Sequence, residues 1–354
     1  MLIIMQSDAG AKQTAAVLAL AEAGKLRPYL SNAHGRRVIA LVSEDEELVQ
    51  TVRALPGVED VQPLRGGAKL STRAFRSADS IVRIASSQNH RNVNSAIAAE
   101  RPANEVLVGG GHFAVMAGPC SVENRESLLT CAHAVKSAGA VMLRGGAFKP
   151  RTSPYGFQGL GRRGLEILAE ARAATGMPVV TEVMSVEDLE LVVEFADLLQ
   201  IGARNMQNFA LLRAVGETGR PILLKRGMMS TIDELLMAAE YILAAGNENV
   251  ILCERGIRTF EQSTRNTMDI AAVPVLRKRS HLPIMVDPSH AAGHRDLVTA
   301  LAYAAVAAGA DGLLVEVHPE PDKALTDADQ TISTQQFEVL MRGVAAIRDA
   351  LKRI

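Results

Sequence analysis

From residue 105 onward, short apolar runs alternate with longer segments that are rich in Ala, Leu and Glu. Buried parallel strands typically appear as short, nearly continuous apolar runs, and the segments between them have helical spacing. Eight such β–α units in succession predict an α/β fold, a (β/α)8 TIM barrel spanning residues 105–354. The predicted barrel strands are residues 113–117, 141–143, 178–181, 198–201, 221–224, 250–253, 284–286 and 312–315.

The first 65 residues have a different pattern. Apolar strand-like runs and two helical segments follow one another in the order β-α-β-β-α-β, which predicts a small ferredoxin-like α+β domain over residues 1–65. The polar residues 66–104 are interpreted as a linker that docks on a neighbouring surface, and "EVLVGGGHF" as an extra strand that plugs the lower end of the barrel. The predicted strands of the small domain are 2–5, 27–30, 38–42 and 58–61, and its predicted helices are 11–23 and 45–55.

Composition excludes several classes of function. The net charge is -1 and aromatic residues make up 3% of the chain, with no Trp, so neither a basic field nor a base-stacking surface for nucleic acid is expected. No uninterrupted apolar run is long enough to span a membrane, and the start of the chain does not resemble a signal peptide. The 3 cysteines form no CxxC pair, which fits a reduced, cytoplasmic protein.

The residues that follow the barrel strands predict a metal site. In barrels of this kind, functional groups gather at the C-terminal ends of the strands, called here the rim. Cys120 follows the first run, His290 the seventh, and Glu316 and Asp327 the eighth, and these three strands are neighbours once the barrel closes. Each residue alone has an ordinary structural explanation, but together they offer sulfur, nitrogen and oxygen ligands that suit Mn, Fe, Co or Zn.

The remaining strand ends are rich in cations. Crowded positive charges at one rim repel each other unless anions bind between them, and Arg matches the oxygens of phosphate and carboxylate groups. These side chains therefore predict a site for substrates with several negative charges, although solvated surface charges or internal ion pairs would also account for them. The cations are Arg144, Lys149, Arg151, Arg204, Lys225 and Arg255.

Seven segments, in this order, resemble the type I β branch of 3-deoxy-D-arabino-heptulosonate-7-phosphate (DAHP) synthases, the branch with an N-terminal ferredoxin-like domain. They are "AGPCSVE", "LRGGAFKPRTSPYGFQGLG", "QIGARNMQN", "LLKRG", "CERGIRTFE", "VDPSHAAGH" and "VEVHPEP". The resemblance covers nearly all of residues 105–354, whereas residues 1–65 match in pattern only. It implies a cytoplasmic, homotetrameric transferase that condenses phosphoenolpyruvate with erythrose 4-phosphate, releases phosphate and opens the shikimate pathway to the aromatic amino acids.

The resemblance also implies roles for individual residues. Cys120, His290, Glu316 and Asp327 would be the metal ligands, and Arg151, Thr152 and Ser153 would bind the phosphate of erythrose 4-phosphate. Phosphoenolpyruvate would be held by Arg144, Lys149, Arg204, Lys225 and Arg255, and the substrate-binding set also includes Ala203 and Asp287.

The expected mechanism assigns further roles at the rim. The metal would polarise the aldehyde as a Lewis acid, C3 of the enol would attack it, and water would add at C2 before phosphate leaves. Lys149 is the hypothesised proton donor to the new hydroxyl oxygen, and Glu182 is expected to orient the water. Cys120 and His290 take part as ligands of the catalytic metal.

Two other functions remain open. The related 3-deoxy-D-manno-octulosonate 8-phosphate synthases use arabinose 5-phosphate, but Pro150 and Arg151 favour the four-carbon sugar because that family tends to carry Asn at this position. The chain could alternatively act chiefly as an amino-acid sensor or as a scaffold for a partner enzyme, through its N-terminal unit. The complete set of metal and cation residues favours an active barrel, to which inhibition by Tyr or Phe would be an addition.

Overall fold

The computed structural model of the chain describes residues 1–43, 45–63, 67–86, 105–150 and 153–353. Its first unit has the predicted order of strands and helices, and the sheet has the strand order β2-β3-β1-β4 with antiparallel neighbours, which is the ferredoxin-like arrangement. The elements are β1 (Leu2–Met5), α1 (Ala11–Ala23), β2 (Pro28–Ala33), β3 (Arg36–Leu41), α2 (Glu46–Arg53) and β4 (Val58–Gln62).

The turn between β2 and β3 is tighter than the sequence suggested. Only His34 and Gly35 separate the two strands, and both have positive φ, at 51° and 77°. Two-residue turns with this geometry match the twist of an antiparallel pair, so the ladder continues up to the turn. The two strands are therefore longer at the turn than the predicted 27–30 and 38–42.

The two faces of this sheet are buried against different partners, because successive side chains of a strand point to opposite faces. Ile3 and Ile39 pack with Val17 of α1 and Val52 of α2 in the core of the small unit. The opposite face, including Leu2, Tyr29 and Ala40, joins the hydrophobic cluster of the barrel through Leu70 and Phe75. The small unit is thus packed directly against the rest of the chain.

The described part of the predicted linker is structured. Glu240, on a barrel helix, accepts hydrogen bonds from the backbone N–H groups of Lys69, Leu70 and Ser71 at 3.0, 3.0 and 2.6 Å. A strand that the polar composition did not reveal, β5 (Val82–Ala85), pairs antiparallel with β6 (Glu105–Val108). The predicted boundary at residue 65 and the stretch 87–104 lie outside the described residues, so the domain limits stay a prediction.

The β5–β6 pair closes the lower end of the barrel. Val82, Ile84 and Val108 are buried and belong to the same cluster as Met116 and Met142, which lie inside the barrel. The interior at this end is therefore filled with apolar side chains. The prediction that a strand near residue 105 plugs the lower end is confirmed.

Eight parallel strands form the closed barrel, because each pairs with the next and the last pairs with the first. The predicted (β/α)8 fold is confirmed. The strands are β7 (Ala114–Gly118), β8 (Met142–Arg144), β9 (Val179–Val183), β10 (Leu198–Ile201), β11 (Ile222–Lys225), β12 (Val250–Glu254), β13 (Ile284–Val286) and β14 (Gly312–His318).

Helices surround the barrel and cover the outer faces of its strands, which explains why those strands are apolar throughout. No helix in the described ranges combines the length and apolarity needed to cross a bilayer. The outer elements are α3 (Arg125–Ser137), α4 (Arg162–Thr175), α5 (Leu189–Phe195), α6 (Phe209–Glu217), α7 (Ile232–Ala244), α8 (Ala272–Arg279), α9 (Pro288–Ala292), α10 (Arg295–Ala307), a short strand β15 (Ile332–Ser333) and α11 (Thr334–Leu351).

Several strands extend past their predicted ends into charged residues. Arg144, Glu182, Lys225 and Glu316 all belong to strands, and each is paired in register with a residue of a neighbouring strand. The sequence prediction stopped at these charges because a buried charge is normally avoided. The barrel instead buries several of them at its rim, where the candidate site lies.

Candidate active site

A cavity of about 410 Å³ opens at the rim. Its wall includes residues from β8, β9, β10 and β11 and from the loops that follow them, so distant parts of the chain meet here. Arg258, Arg265 and Asn266, which the sequence prediction did not single out, also line it. The predicted site residues in its wall are Arg144, Lys149, Ser153, Glu182, Ala203, Arg204, Lys225, Arg255, His290 and Asp327.

The four predicted metal ligands come together beside this cavity. Cys120, Glu316 and Asp327 each place one ligand atom within 4.8 Å of the others. Cys120 Sγ lies 3.0 Å from Asp327 Oδ2, and His290 Nε2 lies 3.5 Å from Glu316 Oε1. Sulfur, imidazole nitrogen and carboxylate oxygens so close together match the ligand set of a divalent transition metal. Their action as ligands stays a prediction.

The protonation of this cluster also fits a cation. Burial, together with the nearby Glu316, raises the pKa of the Cys120 thiol to about 12, and Lys149 opposes the shift. A bound metal would supply the positive charge that a thiolate needs. Burial alone would raise the pKa of Glu316, but His290 and Arg144 outweigh it and lower that pKa below its ordinary value. For Asp327, His290, Cys120 and Arg265 likewise outweigh burial and lower the pKa.

His290 is held in the form that coordinates metals. Burial lowers the pKa of its imidazole below the ordinary value, although Asp287 and Glu316 oppose the shift, so the neutral ring prevails at neutral pH. Asp287 Oδ2 lies 2.7 Å from Nδ1 without forming a well-aligned hydrogen bond, and Nε2 lies on the side of Glu316. Carboxylates behind a histidine ligand commonly fix the orientation of its ring in this way.

Asp287 is fully buried, and its contacts are with protein groups. Its carboxylate accepts a hydrogen bond from Lys225 Nζ at 2.6 Å and another from the backbone N–H of His290 at 2.9 Å. Burial opposes ionisation, but His290 and Lys225 hold the pKa of Asp287 well below its ordinary value. The structure therefore places Asp287 against a predicted ligand and a predicted cation, while its direct contact with substrate stays a prediction.

The predicted cations form the other side of the site. Arg144 Nη1 donates to Glu316 Oε1 at 2.7 Å, but Arg144 Nε and Arg255 Nη1 are buried without a hydrogen-bond partner among the described residues. A buried guanidinium donor is costly to leave unpaired, so these two atoms indicate a place for an anion. Arg204 is exposed on the short turn Ala203–Asn205 and also lines the cavity.

Arg226 shows what a structural cation looks like at the same rim. It follows Lys225 directly, yet its guanidinium donates to Glu254 at 2.9 Å and to Asp269 at 2.7 Å. Both contacts neutralise it, and the cavity wall does not include it. Arg226 and Arg255 are both buried, but only Arg226 is paired with acidic side chains among the described residues, and this pairing marks it as a structural cation.

Lys149 lies where the metal cluster and the cavity meet. Its Nζ is 2.9 Å from Cys120 Sγ and 3.2 Å from Cys120 O. Burial lowers its pKa, but Cys120 and Glu316 more than compensate, so the net shift is upward and the ammonium stays charged. A Cβ at Gly146 would lie 2.8 Å from Cys120 O, so the glycine lets this loop approach closely.

Glu182 reaches the cavity because its neighbour has no side chain. A Cβ at Gly202 would lie 2.0 Å from Glu182 Oε1, and Gln200 Nε2 donates to Glu182 Oε2 at 3.2 Å. The carboxylate is therefore fixed at the cavity wall, as the proposed orientation of a water requires. That role stays a prediction.

Two of the predicted residues cannot be placed. Arg151 and Thr152 lie outside the described residues, whereas Pro150 and Ser153 on either side of them line the cavity. Arg265 and Gln330, in contrast, contact the metal cluster and were missed. The only sequence signal for Arg265 was its place in the loop after the sixth barrel strand, and a neutral Gln gives none.

Comparisons with known proteins identify similar chains. Residues 85–353 match the model of the DAHP synthetase I family. A "Phospho-2-dehydro-3-deoxyheptonate aldolase" from Thermotoga maritima is 46% identical over 352 residues, which cover 99% of this chain and 98% of the relative. A "2-dehydro-3-deoxyphosphooctonate aldolase" from Citrifermentans bemidjiense is 33% identical and covers 68% of this chain and 94% of the relative.

Solved structures give the same picture. The crystal structure of the phospho-2-dehydro-3-deoxyheptonate aldolase (DAHP synthase) from Thermotoga maritima superposes with a TM-score of 0.74 at 46% identity and covers 99% of this chain and 97% of the other. A truncated form of 3-deoxy-D-arabino-heptulosonate 7-phosphate synthase from the same organism has a TM-score of 0.70 at 48% identity and covers 81% of this chain and 98% of the other.

Proposed function

The chain belongs to the DAHP synthetase I family, and from that premise we propose that it is a 3-deoxy-7-phosphoheptulonate synthase. It joins phosphoenolpyruvate to erythrose 4-phosphate, releases inorganic phosphate and so performs the first step of the shikimate pathway in the cytoplasm. The observation that carries the proposal is the arrangement of one rim, where Cys120, Glu316 and Asp327, with His290 beside Glu316, face buried guanidinium atoms that have no hydrogen-bond partner among the described residues.

The cation side suits phosphoenolpyruvate, which carries a phosphate and a carboxylate. As far as the described residues go, Arg144 Nε and Arg255 Nη1 offer unused donors, and Arg204 and Lys225 reach the same cavity. Guanidinium groups fixed by the barrel hold such an anion in one orientation and offset the charge that develops as phosphate leaves. The backbone at Ala203 completes the proposed pocket.

Erythrose 4-phosphate is assigned to the opening of the cavity beside Pro150 and Ser153. The resemblance of "KPRTS" to the family motif supports Arg151, Thr152 and Ser153 as the phosphate site. The sugar aldehyde then points inward, toward Lys149 and the metal cluster. This order lets C3 of phosphoenolpyruvate meet the aldehyde carbon between the two anion sites.

Cys120, His290, Glu316 and Asp327 would hold the divalent ion, for which Mn, Fe, Co and Zn remain candidates. When bound, the ion supplies Lewis-acid polarisation of the aldehyde oxygen. Lys149 Nζ, charged and buried, donates a proton to that oxygen as the carbon–carbon bond forms. Glu182 orients the water that adds at C2 before the C–O bond to phosphate breaks.

A phosphate-release assay tests the proposal. The full-length chain is incubated with phosphoenolpyruvate and erythrose 4-phosphate, then with a chelator, and then with Mn, Fe, Co or Zn restored. Activity that the chelator removes and a divalent ion restores supports the proposal. Release with arabinose 5-phosphate but not erythrose 4-phosphate would instead favour the activity named for the octonate relatives.

Regulation is the second part of the proposal. The sheet of the small unit is packed against the barrel, and Tyr29 Oη and Arg27 Nη2 donate to Ala244 O and Gly246 O at the end of α7. The loop before α7 carries Met228, which lines the cavity. Tyr or Phe bound to the small unit would therefore act on the site through α7.

Removal of residues 1–65 tests this part. The truncated chain should keep its activity and lose inhibition by Tyr or Phe. The solved structure of a truncated form of a relative still covers 81% of this chain, which supports a barrel that folds after truncation. Unchanged inhibition after truncation would contradict regulation by the unit, and an inactive full-length chain that binds Tyr would favour the sensor or scaffold function. The proposed homotetramer is measured by light scattering on the same samples.

A further inference from the structure

One arginine and one glutamine connect the two carboxylates of the metal cluster. Arg265 lies in the loop between β12 and α8, and Gln330 lies in the loop between β14 and β15. The same nitrogen of Arg265, Nη1, donates to Asp327 Oδ1 at 2.8 Å and to Gln330 Oε1 at 2.7 Å. Gln330 Nε2 in turn donates to Glu316 Oε2 at 2.5 Å. The result is an unbroken chain of hydrogen bonds from Asp327 to Glu316.

The chemistry of the partners fixes the direction of this chain. Arg265 can only donate, so the amide oxygen of Gln330 must face it. The amide NH2 then faces Glu316, whose ionised carboxylate can only accept. Gln330 is 1% exposed, so water cannot readily take the place of either contact. A neutral amide suits a position between a cation and an anion, because it satisfies both.

Each carboxylate uses one oxygen in this chain and turns the other toward the metal cluster. Asp327 Oδ1 is bonded to Arg265, while Oδ2 lies 3.0 Å from Cys120 Sγ. Glu316 Oε2 is bonded to Gln330, while Oε1 lies 3.5 Å from His290 Nε2 and also accepts from Arg144 Nη1 at 2.7 Å. The chain therefore helps to set which oxygen atoms are presented to an ion, and Arg144 shares that role at Glu316.

The loop that carries Arg265 also supports the imidazole ligand. The backbone N–H of Arg265 donates to Ala292 O at 3.1 Å, and Asn266 Nδ2 donates to His290 O at 2.8 Å. Both acceptors belong to α9, the short helix that carries His290. One loop thus contacts the segments of two of the four predicted ligands, His290 and Asp327, and reaches Glu316 through Gln330.

Asp327 needs such support because its backbone is in a sparsely populated conformation. Its φ is 50° and its ψ is 36°, in the left-handed region, which costs a residue other than Gly about 1 kcal/mol or more. The carboxylate contact with Arg265 and the hydrogen bond from Thr331 Oγ1 to Asp327 O at 2.8 Å help to hold it there. Without them, the loop could relax and move Asp327 away from Cys120.

We infer that Arg265 and Gln330 are positioning residues that orient Asp327 and Glu316 and thereby set the affinity of the site for its divalent ion. The inference deepens the proposed function and rests on its metal site, not on the identity of the substrates. Residues that orient metal ligands typically change metal affinity by about 10- to 100-fold when they are replaced. That is the effect expected here.

Cobalt titration of the full-length chain tests the inference. The chain is stripped with a chelator, Co²⁺ is added, and the thiolate-to-cobalt absorption band is followed with no substrate present. Arg265→Gln and Gln330→Met should each raise the dissociation constant about 10- to 100-fold. Arg265→Lys should recover part of the affinity, because its ammonium can still reach Asp327 but lacks the fixed geometry of the guanidinium.

Arg258→Gln is the matched control. Arg258 lies in the same loop and lines the same cavity, but within the described residues its side chain is not bonded to either carboxylate. Its variant should bind Co²⁺ as the original chain does. The unfolding temperature without ion is recorded first, and if Arg265→Gln does not unfold cooperatively, Arg265→Lys takes its place.

Cys120→Ser distinguishes a failure of the positioning role of Arg265 and Gln330 from a failure of the proposed metal site. If Cys120→Ser loses the band while Arg265→Gln (or Arg265→Lys) and Gln330→Met bind Co²⁺ with unchanged affinity, the positioning role is overturned and the metal site stands. If the band persists in Cys120→Ser, the metal site itself is overturned. Weaker binding in the two positioning variants, with Arg258→Gln unchanged, supports the inference.

Discussion

The two ends of the barrel differ in how completely their buried polar groups are hydrogen-bonded. At the lower end, His281 is bonded through both ring nitrogens, and Glu240 accepts three backbone hydrogen bonds. At the rim, one guanidinium nitrogen each of Arg144 and Arg255 is buried without a hydrogen-bond partner in the part of the chain that the structure describes. Satisfied polar groups stabilise a fold, whereas unsatisfied ones lower its stability and are retained where a ligand completes them. Variants of the unpaired groups at the rim should therefore change activity, and variants of the paired groups at the lower end should change stability.

The largest expected effect is at the metal cluster. Cys120→Ser replaces the thiol with a weaker ligand for transition metals, so the chain should lose the several kcal/mol that a Lewis acid contributes to the transition state, or ~10³-fold in kcat. Stability without the ion should change little. Phosphate release at saturating substrate and the unfolding temperature in chelator provide the two measurements.

Cys131→Ser is the matched control for that loss. Cys131 is equally buried, on α3, and its Sγ donates to Val317 O at 3.3 Å, a hydrogen bond that a hydroxyl can also make. Its activity should stay close to that of the original chain. A comparable loss of activity in both variants would mean that burial of the thiol, not metal binding, explains the effect of Cys120→Ser.

The next effect separates two neighbouring cations at the rim. Arg255→Ala removes a buried guanidinium whose Nη1 has no partner in the described ranges, so kcat/KM for phosphoenolpyruvate should fall ~10²- to 10³-fold, with stability unchanged or higher. Arg226→Met removes a cation paired with Glu254 and Asp269 and leaves a buried carboxylate without its partner. It should cost about 3 kcal/mol of stability. If Arg255→Ala destabilised the chain as much as Arg226→Met, the distinction between the two cations would be lost.

The sequence predicted the barrel well because burial on both faces leaves a continuous apolar run. Residues 198–201 and 284–286 are strands with the predicted limits. β14, predicted to end at residue 315, continues to His318, because Glu316 remains paired with Gly118 and Val317 with Ile332. β5 was missed because it is a four-residue strand in a polar stretch, and its burial depends on the barrel end that it covers.

The site was less predictable than the fold, for a geometric reason. Cys120, His290, Glu316 and Asp327 could be grouped because the closed barrel brings the ends of its first, seventh and eighth strands together. Arg265 could not be assigned to Asp327, since the two lie 62 residues apart and their contact depends on the shapes of two loops. Topology predicts which strand ends are neighbours, but not which loop residues touch.

At the lower end, the largest expected effect depends on pH. His281 Nε2 donates to Leu70 O at 2.7 Å, and Nδ1, 2.8 Å from Ser80 Oγ, must then accept. Burial lowers the pKa of His281 from 6.5 to about 4, against the opposing effect of its bond to Leu70. At pH values between 6.5 and 4, His281 binds a proton in the unfolded chain but not in the folded chain. Stability should therefore fall by about 3 kcal/mol as the pH drops from 6.5 to 4.

Urea unfolding at several pH values measures how steeply the free energy of unfolding changes with pH, called here the slope. His281→Gln keeps a donor for Leu70 O and cannot take up a proton, so its free energy of unfolding should vary less between pH 6.5 and 4. His133→Gln, exposed on α3, is the matched control and should keep the slope of the original chain. Equal slopes in all three chains would show that His281 already binds a proton in the folded state.

The smallest expected effect concerns Glu240 at the lower end. It tests whether a small loss of stability there leaves activity unchanged. Glu240 accepts from Lys69 and Ser71 through one oxygen and from Leu70 through the other, so Gln in its place sets an amide NH2 against one of these backbone donors. The lost charge-assisted hydrogen bond should cost about 1 kcal/mol, or a fall in the unfolding temperature of about 2 °C. Activity should be unchanged, because neither Glu240 nor residues 69–71 line the cavity at the rim. Glu217→Gln, exposed on α6, should alter neither property. A Glu240→Gln chain with normal stability but reduced activity would mean that the lower end is coupled to catalysis, and the division of roles between the two ends would fail.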